Sequence, residues 1–159
     1  MKAIKKSFLL SLLLLLSGSA FAQMNAPNYG LQVECLGVEM DGSQTLRSLG
    51  TGRNKRDAVE QAKKNAVAAV LFNGIRGGQA GCDMRPLVPE VNAREKYAEY
   101  FNIFFADGGE YLNYVSMADR RLHSNQSTTT KVQRSFRITV RVLRSELKAR
   151  LLADGVLKQ

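Results

Sequence analysis

Between Ser48 and Ala66 the chain reads SLGTGRNKRDAVEQAKKNA, the densest grouping of side chains able to bind or react in its 159 residues. Gly50 and Gly52 stand two apart, Arg53, Lys55 and Arg56 follow, and a helical pattern begins. Glycines before a helix can cradle phosphates, because exposed N–H groups and the helix dipole both face the anion. Gly50-Thr51-Gly52 lacks the third glycine of a dinucleotide fingerprint and the Gly-Lys-Ser/Thr of a P-loop. A nucleotide is therefore not the expected ligand, and the glycines read first as a tight corner between strand and helix. The cations still need an account, since a helix N-terminus disfavours each by a few tenths of a kcal/mol. Three of them beside free amide donors suit a phosphate or carboxylate on a glycan, a lipid or a partner protein. A solvated charge cluster is the plainer alternative.

A second basic group lies near the C-terminus. Lys131, Arg137 and Arg141 fall on one side of an alternating run, and Arg120 or Arg121 could lie on its neighbour. Such a face is either a wet strand surface or a docking surface for an anionic polymer or an acidic protein. No aromatic residue interleaves these cations to stack a base, so nucleic acid is not expected as a partner. Catalysis finds little support. His123 is the only histidine, and no Ser/His/Asp or Cys/His set is evident. One histidine and two cysteines make a poor metal site, and neither metal nor cofactor is expected. Glu95, Glu99 and Asp107 are the carboxylates that a hydrolase of cell-wall glycans or peptides could use, which is the alternative function; the pattern does not separate them from solvated helix faces. Asn125-Gln126-Ser127 matches a glycosylation sequon, a weak signal alone.

The compartment limits these chemistries. Lys2, Lys5 and Lys6 precede the apolar stretch Phe8 to Leu16, and Ala20-Phe21-Ala22 before Gln23 has the form of a cleavage site. Residues 1–22 thus read as a secretory signal peptide and 23–159 as a single domain, periplasmic or secreted. No cysteine at the cleavage point offers a lipid attachment site. The chain has 23 Lys+Arg against 14 Asp+Glu; without residues 1–22 and their three lysines the formal charge falls from +9 to +6. No later segment is long and apolar enough to span a membrane. Cys35 and Cys82 are an even pair in an oxidising compartment, which invites a disulfide, with two free thiols as the alternative.

The elements that must position these groups follow from periodicity. Leu31, Val33 and Cys35 alternate with polar residues, the phase slips near Gly37 as a bulge would require, and Asp41-Gly42 predicts a hairpin into a weaker strand over Gln44 to Leu49. Asn54 is a candidate N-cap, Ala58, Ala62, Ala66, Ala69 and Val70 form one stripe flanked by Val59 and Val67, and Gly74 can stop the helix. The opposite side, with Glu60, Lys63 and Lys64, belongs in water. After the glycine-rich connection 74–88, helical spacing returns from Pro89, where Tyr97, Tyr100, Phe101, Phe104 and Phe105 make an aromatic stripe read as core. Residues 110–122 are expected to be extended, with a helix over Glu110 to Val115 as the alternative, and HSNQSTTT is a polar hairpin loop. Phe136, Ile138, Val140 and Val142 alternate with Ser135, Arg137, Thr139 and Arg141 in a half-buried strand. Ser145 is the expected cap of a short helix that buries Leu147, Leu151 and Leu152 and ends at Gly155. The order predicts an α+β fold: an antiparallel sheet of about four strands, with two longer helices and a short C-terminal helix packed on one face.

A strand ending in GTG, then NKRDAVEQAKKNAVAAV, and later FRITVRVLRSELKARLLADGV, resemble the twenty-kilodalton LPP lipoprotein family and the N-terminal domain of the flagellar protein FlgT. The resemblance covers most of residues 23–159. It implies a bacterial envelope protein that acts by binding or assembly and not as an enzyme. The motifs are structural and bring no catalytic residue with them; the missing lipid-attachment cysteine and the aromatic helix depart from the family. Expected partners are an envelope protein or an anionic envelope polymer, with a homo-oligomer also open.

Overall fold

The computed structural model describes residues 33–75, 77–79, 81–117, 127–129 and 134–158. Over these the chain runs β1 (Val33–Val38), β2 (Gln44–Gly52), α1 (Lys55–Ala68) with a π-turn Ala69–Asn73, β3 (Gly77–Gly78), α2 (Ala93–Lys96) and α3 (Ala98–Phe104). A 3₁₀ turn (Glu110–Tyr114), β4 (Val115–Met117), β5 (Ser127–Thr129), β6 (Arg134–Val142) and α4 (Arg144–Ala153) follow. The signal-peptide reading, Leu31, Arg120, Arg121, His123, the sequon asparagine and Lys131 lie outside the described residues.

The fold is α+β, with a sheet ordered β3-β1-β2-β6-β4 and β5 also paired to β6. The sheet has six strands and is mixed, where about four antiparallel strands were expected. The added parallel strand is the two-residue β3, which lies along β1 with Glu34 opposite Gly77 and Cys35 opposite Gly78. A Cβ on Gly78, whose φ is +126°, would overlap the Cys35 backbone, so only glycine permits that approach. The slip near Gly37 is a real irregularity between Cys35 and Gly37.

β2 and β6 make the centre. Their register sets Leu46 opposite Val140 and Ser48 opposite Ile138 on one face, with Thr45 opposite Arg141 and Arg47 opposite Thr139 on the other. A strand's period of two therefore separates a dry face from a polar one. On the dry face lies a single core that includes Leu46, Val140, the α1 residues Ala62 and Ala66, Phe101, Phe104 and the α4 leucines Leu147 and Leu151. The Asn54 cap is present: its side chain accepts from the Asp57 N–H at 3.0 Å.

Other helix boundaries differ from expectation. The second helical region starts at Ala93 and breaks at Tyr97, whose φ of −111° and ψ of 34° leave the helical range, so Pro89 precedes the helix. The bulky stripe lies on the core side across this break, with Phe101 and Phe104 buried and Tyr97, Tyr100 and Phe105 half-buried. Residues 110–114 form a 3₁₀ turn, the helical alternative, and Val115–Met117 is extended; 118–122 lie outside the described residues. Burial of Tyr111 holds that turn against the sheet end. Ser145 is not the α4 cap. Leu143 occupies that position, and Ser145 sits inside the first turn, close enough to Gly42 that a Cβ there would meet its Oγ at 2.6 Å.

Candidate functional site

The corner between β2 and α1 shows first what its glycines do. A Cβ on Gly50 would overlap the Ala58 carbonyl oxygen and the Ala62 nitrogen, and one on Gly52 would come 2.6 Å from the Ala58 nitrogen. The two glycines thus let α1 lie directly on β2, with the fully buried Ala58, Ala62 and Ala66 facing the strand. Two polar locks close the contact: Ser48 Oγ donates to the Ala62 carbonyl at 2.8 Å, and Asn65 Nδ2 to the Leu49 carbonyl at 2.8 Å. Both residues are buried, and neither stood out in the sequence because their partners are backbone groups brought near only by the packing.

Above this interface an open groove of about 820 Å³ runs along α1, bounded by Thr51, Arg53 and Arg56 at one end and by Asp107, Gly108 and Leu112 across from the helix. Its carboxylates are committed within the chain. Asp57 receives the Asn54 amide at 2.9 Å, Glu60 receives the buried Tyr111 hydroxyl and lies 3.5 Å from Lys63 Nζ, and Asp107 lies 2.7 Å from Lys64 Nζ. Lys64 also sits 5.5 Å from the Tyr111 ring centre. Lys63 and Lys64 are therefore paired and only about one-fifth exposed, in place of the solvated face expected of them. Burial, then the Glu60 carboxylate, push the Tyr111 hydroxyl well above its ordinary range, so it remains a donor at neutral pH. Lys64 holds Asp107 below the usual carboxylate value.

Arg53 and Arg56 differ. Both are exposed, and among the described residues neither makes an ion pair. Lys55 turns to the other side of the corner, with its ammonium 5.9 Å from the Phe136 ring centre. Of the second basic group, Arg141 Nη2 lies 3.5 Å from Glu39, and Arg47 beside it lies 3.4 Å from Glu34. Thr45 and Thr139, opposite these arginines, are buried, as expected where aliphatic arginine stems cover small side chains. Arg137 is half-buried on the same face, in register with Leu49. The structure thus separates the two groups: Arg53 and Arg56 face solvent unpaired, whereas Arg141 is committed to its own sheet.

Cys35 and Cys82 form a disulfide across a sequence separation of 47, with Cα atoms 6.3 Å apart. Around it the 81–88 segment is fixed by Gln44 Nε2 donating to the Asp83 carbonyl at 3.0 Å and by Arg144 Nη2 at 2.8 Å from both the Asp83 carboxylate and the Arg85 carbonyl. Of the three carboxylates considered for catalysis, Asp107 borders the groove and is paired, while Glu95 and Glu99 lie exposed on α2 and α3 and do not line it. Among the described residues no three His, Cys, Asp or Glu side chains converge as metal ligands, and no helix is long and apolar enough to cross a membrane.

Comparison with protein-family models, with curated proteins and with solved structures gives no match.

Proposed function

We propose that this protein is an exported, non-enzymatic module of a bacterial cell envelope that works by binding or assembly, and that its corner cations Arg53, Lys55 and Arg56 receive an anionic partner. The observation that carries the reading is the asymmetry of the groove: Asp57, Glu60 and Asp107 are each held by a neighbour, while Arg53 and Arg56 stand exposed without one. An incoming carboxylate or phosphate would meet uncompensated positive charge beside the free amides of a helix start. The N-terminal sequence pattern supports export. The disulfide agrees with it, since such bonds persist in oxidising compartments.

The test is a triple variant, Arg53→Gln, Lys55→Gln and Arg56→Gln, compared with the parent for capture on dextran sulfate beads and on beads carrying envelope extract. Capture should be lost at low salt, with an equal or higher melting temperature, because removing cations from a helix N-terminus relieves the dipole. Equal capture by both proteins would sink the reading.

A further inference from the structure

The α2–α3 segment turns a row at four-residue spacing, Val91, Glu95, Glu99 and Ile103, to solvent. Val91 and Ile103 are 95% and 71% exposed, among the most exposed large apolar residues described. Ten of the thirteen described carboxylates are held by a hydrogen bond or ion pair; Glu95, Glu99 and Glu146 are the others. Glu146 lies in the first turn of the ten-residue helix α4, where the dipole favours it. Glu95 and Glu99 stand on either side of the break at Tyr97, both exposed. The cations beside them are engaged elsewhere: Arg94 over the Phe72 ring at 5.0 Å and Lys96 with Glu90 at 2.8 Å.

The described surface therefore carries two sets of side chains of opposite sign, Glu95 with Glu99 and Arg53 with Arg56, that no ion pair engages among the described residues. Leu112, half-buried beside the corner, offers an apolar surface that Val91 or Ile103 could cover.

We infer that the Val91–Ile103 row of one copy docks on the Arg53–Arg56 corner of a second copy, so that the anionic partner of the corner is this chain itself. The inference rests on the reading that the corner takes an anionic partner, and it adds the partner's identity. One helix row buries less than the ~800 Å² per partner of a standard interface, so the contact is weak and sensitive to salt. Its two sides differ, so it closes only if a two-fold axis repeats it or a ring forms; otherwise it propagates as a filament.

The test uses protein produced from the full sequence, in sedimentation velocity at low and high ionic strength. One variant carries Glu95→Lys with Glu99→Lys, the other Arg53→Glu with Arg56→Glu. The parent should associate with rising concentration at low salt and dissociate at high salt. Each variant alone should associate roughly tenfold or more weakly, and an equimolar mixture should recover the association, because reversed charges meet their complements. A parent that stays monomeric throughout, association that survives in both variants, or a mixture that fails to recover overturns the inference. Capture on dextran sulfate distinguishes the two proposals: if the parent is monomeric but its capture needs Arg53 and Arg56, self-docking falls and the anion-binding corner stands. If capture is also indifferent to them, both fall.

Discussion

Two halves of the helix layer cover one sheet by opposite means. Under α1 the side chains are alanines and the strand side chains are absent at Gly50 and Gly52, so backbone lies against backbone with Ser48 and Asn65 as polar locks between them. Under α3 the space is filled by rings: Phe101 meets Phe72 edge-on with centroids 4.7 Å apart, and Phe104 lies 5.1 Å from Phe105 and 6.0 Å from Tyr114. The first half gains its contact by removing atoms and the second by adding them. A close-packed interior accepts either solution but few intermediates, since a methylene too many or too few is felt in both.

That contrast can be broken by substitution. Phe104→Ala should cost about 3–5 kcal/mol, because the ring is buried and its space cannot close without moving four neighbouring aromatics. Urea denaturation measures it, and a loss below about 1 kcal/mol would show the aromatic half to be loosely packed. Gly50→Ala adds one methyl group, yet its obstacles are backbone atoms of Ala58 and Ala62 that no rotamer change can clear. It should cost about 1–3 kcal/mol or more. A melting temperature equal to the parent's would mean that α1 can lift off β2, and the contrast would fail.

The smallest effect sharpens the comparison at the two rims. Asp107 on the α1 side is held below its ordinary 3.8 by Lys64, and Asp154 on the aromatic side by the Tyr100 hydroxyl first and then Arg150. A carboxyl whose folded pKa is lowered contributes stability that is complete above 3.8 and is lost as pH falls through the folded value. Stability should therefore decline in acid below about pH 4, modestly, because both groups are exposed to solvent. Lys64→Met should remove the Asp107 share of that decline and leave the Asp154 share, and two-dimensional NMR titration of the carboxylates would read each directly. An Asp107 titration unmoved by Lys64→Met would show that this ion pair is not formed in solution.

Legibility in the sequence followed the range of the interactions. The alternation of β6, the α1 boundaries, the alanine stripe and the aromatic stripe all reside in neighbouring residues, and each was read with its buried face correct. The disulfide was a reading of compartment and count, with free thiols still open. What was hidden depends on distant partners. β3 is two glycines with no periodicity to reveal them, and it exists because Cys35 and the Gly78 backbone approach each other. The break at Tyr97 leaves the apolar spacing intact, so the pattern suggested an unbroken helix. Lys64 looked solvated because Asp107 and the Tyr111 ring come from more than forty residues away. The distinction between the committed Arg141 and the unpaired Arg53 and Arg56 likewise needed Glu39 in place.

The strand order also carries a consequence for how the chain is made. β2, complete at residue 52, has as its inner neighbour β6, whose pairing runs from Gln44 opposite Val142 to Gly52 opposite Arg134. The central seam of the sheet therefore cannot close until the last part of the chain has been synthesised, and a product that stops before Arg134 leaves β2 as a bare edge, open to pairing with other chains. Acquisition of the fold is postponed to the end of translation or later. Export of the chain as an unfolded thread, as proposed above, would be served by such an arrangement, because β1 and β2 lack the central partner strand until β6 is made.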